Sequence, residues 1–448
     1  MRTLALSILV LLASVPTAQA APRLTLVGTY NTGLGANGAE IIDVRASDGL
    51  AVLTNVGGGS PGSSVDILNL ANVAAPTLAR RVILSDTTRT VNSAAIHPTK
   101  DLFVVVQGGS SPAAAPVFGT ISAYRISDGA FLCSTSAGIQ PDSVAISRDG
   151  NTAVVANEAE GFAVGDSGGP GSLSRLSLAT FNPATPDCTQ FTATQIALPS
   201  ANGLAGFSTN RTDDIARLAI DNTPNTLEPE SVTFSPDNLF AFVSLQENNG
   251  VVRLDLSNNA TTYFGVGNVN HLADVSTSGG YQPVTPYIQF REPDGIAFTP
   301  DGQYFVTANE GDTRDGAGSN SIRGGRTLSI FNASTGALVG DTGSQIDDIA
   351  NANGVYPDSR SNRGGSEPEV VDVVAYAGKT YAAVSLERAF GVALVDITVP
   401  ATPQVVAFAS TGASSNPEGI KFFLRRSRLY VTSANEASGT VSIFQVIP

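Results

Sequence analysis

Apolar and polar positions in this chain alternate in short runs broken by tight turns. Gly295-Ile296-Ala297-Phe298-Thr299 is followed by the turn Pro300-Asp301-Gly302, then by Tyr304-Phe305-Val306-Thr307-Ala308. Period-two runs of this length, rich in β-branched and aromatic residues and bounded by Asp-Gly or Ser-Thr-Gly, predict β-strands. Strand three of this unit is expected at Arg326 to Phe331, and strand four begins within Ala337 to Gly340.

The unit recurs seven times. Its starts are Glu40, Asn92, Asp142, Glu230, Asp294, Glu369 and Glu418, and five of the seven follow a proline. The clearest second copy runs from Pro141-Asp142-Ser143-Val144 into Ala153 to Glu158. A repeat of about 50 residues with four short antiparallel strands is the blade of a β-propeller. The last repeat holds only three strands: Gly419 to Leu424, Leu429 to Ser433 and Thr440 to Val446. The N-terminal run Leu24 to Tyr30 is a spare strand. Pairing it with the last blade closes the ring and removes exposed strand edges. The fold expected is all-β: a seven-bladed propeller over residues 21–448, closed by its N-terminal strand.

Three intervals are too long for a bare blade. The excess falls in Gly165 to Leu227, near Asn258 to Pro286, and in Gly311 to Arg326 with Asp341 to Ser366. Long loops on a rigid scaffold are where function concentrates. Asp213 to Leu218 and Gln345 to Ala350 are expected to be short helices.

Composition fits this picture. Charged residues make up 14%, hydrophobic ones 42%, with Gly 45 and Pro 25 and no collagen-like period. The net charge of -14 argues against nucleic acid, which needs a basic surface. Residues 1–20 read as a signal peptide: Arg2, the apolar Leu4 to Leu12, and the cleavage signal Ala18-Gln19-Ala20. No later run approaches the ~20 apolar residues of a membrane span. Export to the periplasm or outside the cell, in association with the envelope, and a monomeric state are expected. Cys133 and Cys188 are the two cysteines. A disulfide on the outer rim between consecutive repeats is expected, the alternative being two buried thiols.

The first strand of each blade lines a propeller's channel. Its acids are Glu40, Asp142, Glu230, Asp294, Glu369 and Glu418, with Asn92 in blade 2. The ends of the second strands carry Glu158, Glu247, Glu310, Glu387 and Glu436. Both sets are expected at one mouth. At an effective dielectric of 20, two carboxylates 4 Å apart repel by about 4 kcal/mol. Raised pKa values, arginine partners or a bound cation relieve this. Oxygen ligands suit Ca²⁺ or Mg²⁺, with Asp142, Glu230, Asp294, Glu310, Glu369 and Glu418 the candidate ligands. The alternative is a repeated structural role, each acid capping amides at its turn. No organic cofactor is expected.

Arg314, Arg323, Arg326, Arg360, Arg363 and Arg388 cluster in sequence around the fifth and sixth repeats. Arg314 and Arg388 are candidates to hold a phosphate beside a metal, as a phosphoester hydrolase requires. The alternative is that these arginines neutralise the channel acids. Gly33 to Gly38 spells a dinucleotide fingerprint without the helix it needs. Gly58 to Gly62 spells a nucleophile elbow broken by Pro61. His97 and His271 are the only histidines. His97 is expected to be structural, aligned with the Pro or Arg before the turn Asp, so a histidine zinc site or Ser-His-Asp triad is disfavoured.

Leu429-Tyr430-Val431-Thr432-Ser433-Ala434-Asn435-Glu436 resembles a YVTN-type propeller repeat. Ala308-Asn309-Glu310-Gly311-Asp312-Thr313-Arg314, Glu367-Pro368-Glu369 and Ser385-Leu386-Glu387-Arg388 resemble the choice-of-anchor I family. The resemblance implies an extracytoplasmic bacterial propeller whose relatives attach by varied anchors. Some relatives are labelled alkaline-phosphatase-like or phytase-esterase-like. No anchor is visible in this sequence. Two functions follow as expectations. One is a non-catalytic propeller binding a small molecule or envelope component, with calcium in its channel. The other is a metal-dependent phosphoester hydrolase, and a lactonase-like activity ranks behind both.

Overall fold

The computed structural model describes residues 21–56, 63–108, 117–159, 171–198, 227–311 and 324–448. Seven four-stranded antiparallel sheets stand in a ring. Their innermost strands are Ile42–Arg45, Thr90–Ile96, Pro141–Ile146, Pro229–Phe234, Pro293–Phe298, Pro368–Tyr376 and Pro417–Arg425, for blades 1 to 7. The N-terminal strand Arg23–Asn31 is the outer strand of blade 7 and pairs with Thr440–Ile447. Tyr30 and Arg81 then converge on buried Asp66, which ties the closing strand to blade 1.

The middles of the second strands are largely apolar and buried on both faces, as in Ala153-Val154-Val155-Ala156 and Ala382-Ala383-Val384. They therefore fill the interfaces between neighbouring blades. Four second strands end on a fully buried asparagine. Asn157, Asn309 and Asn435 each donate to a hydroxyl pair on strand three, such as Thr327 and Ser329 at 2.8 Å. Asn55 donates to the hydroxyl and carbonyl of Ser64. A buried amide must find such partners, so this device fixes blade register.

Cys133 and Cys188 are bonded. Cys133 sits inside strand four of blade 2, and Cys188 in the link before strand four of blade 3. They join adjacent blades, as expected. Restricting the unfolded chain over this separation of 55 residues stabilises by about 2–4 kcal/mol.

The excess near Asn258 to Pro286 supplies blade 4's outer strand Thr261–Gly265 and an extra hairpin, Asn268–Ala273 with Thr285–Phe290. The helix Gln345–Ala352 stands where the sequence places one. Arg326, 1% exposed, pins both insertions: it donates to Asp274 O and Ser361 O and pairs with Asp347. The expected segments 1–20 and Asp213 to Leu218 lie outside the described residues.

Candidate functional site: an acid-lined channel mouth

Five of the six first-strand acids, all but Glu40, sit in the same local structure. In blades 3 to 7 the ladder between strands one and two slips just after the proline, between Pro141/Val144, Pro229/Val232, Pro293/Ile296, Pro368/Val371 and Pro417/Ile420. Blade 2 slips at Asn92. The bulged residue is the acid, and a bulge re-aims its side chain. Proline opens the bulge because it has no amide to donate. The residue before it is left-handed at Gln140, Glu292, Glu367 and Asn416, with φ between 47° and 49°. Four non-glycine residues in one sparsely populated conformation mark a built feature, since each costs on the order of 1–3 kcal/mol.

The bulges open on a channel of about 400 Å³. Its mouth carries Glu40, Asp142, Glu230, Asp294, Glu310 and Glu418. The register defines a second ring three residues further along the inner strands: Asp43, Ala95, Ala145, Thr233, Ala297, Asp372 and Lys421. Lys421 is the one cationic residue lining the channel among the described residues. Its Nζ lies 3.8 Å from Asp43 and 3.7 Å from Asp372. Blades 6, 7 and 1 thus present Asp-Lys-Asp, opposite small side chains.

The second-strand acids join the first set, as the sequence reading expects. Asp142, Glu158 and Glu230 bring carboxylate oxygens within 4.8 Å of one another, and so do Asp294, Glu310 and Glu369. Glu387, Glu418 and Glu436 form a third group, and Glu367, Glu369 and Glu387 a fourth. One assignment changes. The register puts Gln246, not Glu247, at the second-strand position of blade 4, because Pro229 pairs with Leu245 as Pro141 pairs with Asn157. Gln246 donates to Glu310 Oε2.

Burial and mutual repulsion make these acids hard to ionise. Burial, with Asp142 and Glu436 nearby, pushes Glu40 up to about 8. Burial, with Asp142 adding to it, pushes Asp294 up to about 7, although Glu369 lies within hydrogen-bonding reach. Glu387 is pushed up to about 7 by burial despite Arg388. Glu230, Glu369 and Glu418 rise well above the usual range from burial and their carboxylate neighbours.

Arg388 is one of the two arginines proposed to hold a phosphate. It donates from Nε to Glu367 Oε2 at 2.7 Å and pairs with Glu387 at 2.8 Å. Arg360 holds the other oxygen of Glu367. Arg314 and Arg323 lie outside the described residues. Sequence reading missed Glu367, Gln140, Gln246 and Asn416 as parts of this site. The signal was present: three of the four sit at or next to the X-Pro-acid motif. His97 is buried at a turn, and its register equivalent is Ser147, one position from the predicted alignment.

The molecule is therefore a seven-bladed propeller with a ring of buried carboxylates at one channel mouth. The choice-of-anchor I domain matches residues 40–323 and 318–400, so the chain belongs to that family. No functionally curated protein matches it. Among solved structures it is similar to the β-propeller domain of Swd1 from Myceliophteria thermophila. The identity there is 9%, the TM-score 0.53, and the match covers 95% of this chain and 100% of that one. It is also similar to hydrazine synthase of Kuenenia stuttgartiensis, at 14% identity and TM-score 0.56, covering 92% of this chain and 96% of that one. At these identities the likeness is one of fold. Among the described residues, no helix is long and apolar enough to cross a membrane.

Proposed function

We propose that this chain is an exported, non-catalytic binding propeller whose acidic channel mouth takes a divalent cation, with Ca²⁺ the best fit to its all-oxygen donors. The observation that carries the reading is the convergence of carboxylates from six blades onto one channel mouth, several of them raised toward neutrality. A divalent ion would offset the repulsion among these acids, to which Arg360 and Arg388 already respond around Glu367 and Glu387. The partner class is a small molecule or envelope component at the same mouth. Export rests on the family and on the signal-like residues 1–20.

The engagement of Arg388 by Glu367 and Glu387 favours binding over phosphoester hydrolysis. Calorimetric titration of the mature chain with calcium tests the reading. Asp294→Asn is expected to weaken binding about tenfold or more, having lost one charged ligand. Unchanged affinity would remove the channel from the account. Calcium-dependent turnover of phosphoesters, lost in the same variant, would replace binding by catalysis.

A further inference from the structure

The proposal deepens the reading that the mouth binds a divalent cation, and it rests on that reading. The register builds one three-acid unit at two blade junctions: first-strand acid, second-strand acid, and the first-strand acid of the next blade. Blades 3 and 4 give Asp142, Glu158 and Glu230, and blades 5 and 6 give Asp294, Glu310 and Glu369. Calcium–oxygen distances of about 2.4 Å allow donors up to about 4.8 Å apart to share one ion. Both units meet that limit.

The intervening junction breaks the pattern. Blades 4 and 5 have Gln246 where a second-strand acid would complete a unit with Glu230 and Asp294, and its amide turns to Glu310. In the first unit Gln140 donates to Glu158 at 3.0 Å, so each middle acid is held by one glutamine. The remaining acid groups include Glu387, which Arg388 and Asn416 engage. A separate sign of a ligand lies at Glu40. Its Oε2 is buried with no hydrogen-bond partner among the described residues, and the side chain lines the channel. Asp142 and Glu436 are carboxylates close enough to act on it.

We propose that the channel mouth is a two-cation centre, with one ion at Asp142, Glu158 and Glu230 and assisted by Glu40, and a second at Asp294, Glu310 and Glu369. Gln246 separates the two sites, and each ion joins two neighbouring blades.

Calcium titration of the mature chain after chelation tests this. Wild type is expected to bind two ions. Glu158→Gln and Glu310→Gln are each expected to bind one, and the double variant none. Glu40→Gln is expected to weaken the first site alone. A single ion in wild type, abolished by either variant, would overturn the two-site assignment while leaving cation binding intact. No binding by wild type would overturn the underlying reading as well. Folding is checked in chelator, where both glutamine variants should unfold at or above the wild-type midpoint because each removes repulsion.

Discussion

His97 accepts two backbone amides on Nδ1, from Thr99 at 3.1 Å and Lys100 at 2.9 Å, and its Nε2 meets Gly150 O at 2.9 Å. Only the neutral ring can do all three. Burial pushes its pKa down to about 4. A lowered histidine favours the folded state above the ordinary value near 6.5, and that stability is lost as pH falls toward 4. His97→Asn should therefore be less stable than wild type near neutrality, with the gap closing on acidification. Denaturant unfolding across this range checks it, and a constant gap would contradict the role. The residue scale was the least legible in sequence. Gln246 and Glu247 are neighbours, and only the ladder tells which one faces Glu310. Arg388 looks the same whether it awaits phosphate or holds two glutamates.

Elements were far easier to read, because a strand's period and its turn residues are local properties. Predicted strands at Gly295 to Thr299 and Tyr304 to Ala308 correspond to Pro293–Phe298 and Tyr304–Asn309. The bulges were not legible, since they depend on the neighbouring strand. Gly295 and Gly419 show what a bulge demands. A Cβ on Gly295 would lie 2.5 Å from Glu369 O, and one on Gly419 would lie 2.7 Å from Glu40 O. The Gly419 amide donates to that same oxygen at 2.9 Å. Backbone cannot yield as a flexible side chain can, so Gly295→Ala should cost about 1–3 kcal/mol. It should also move Asp294 and weaken calcium binding. A variant with wild-type stability and affinity would show that the inner strands are not held this closely.

Across the whole molecule, topology gives the two mouths different characters. Strand two ends and strand three begins at the acid mouth, and so do the end of strand four and the start of the next blade. Among the described residues, the links 266–292 and 342–367 lie there. The opposite mouth carries mostly short turns. Seven repeats with a spare N-terminal strand made the ring readable before any coordinates. The acids' convergence followed from strand order, while their partition between ions and arginines required side-chain positions. Carboxyls raised to about 7 and about 8 in the folded chain oppose folding as pH rises above their ordinary values. Chelated protein should therefore lose stability between about pH 5 and 8. A cation binding only the folded state should restore it, by about 2.7 kcal/mol at a hundredfold excess over Kd. The most direct measurement is thermal unfolding near pH 8, in chelator and then in excess calcium, for wild type and Asp294→Asn. The account predicts a clear calcium-induced rise in wild-type Tm and a smaller rise in the variant, which keeps the ion at Asp142, Glu158 and Glu230. Equal Tm with and without calcium in wild type would contradict it.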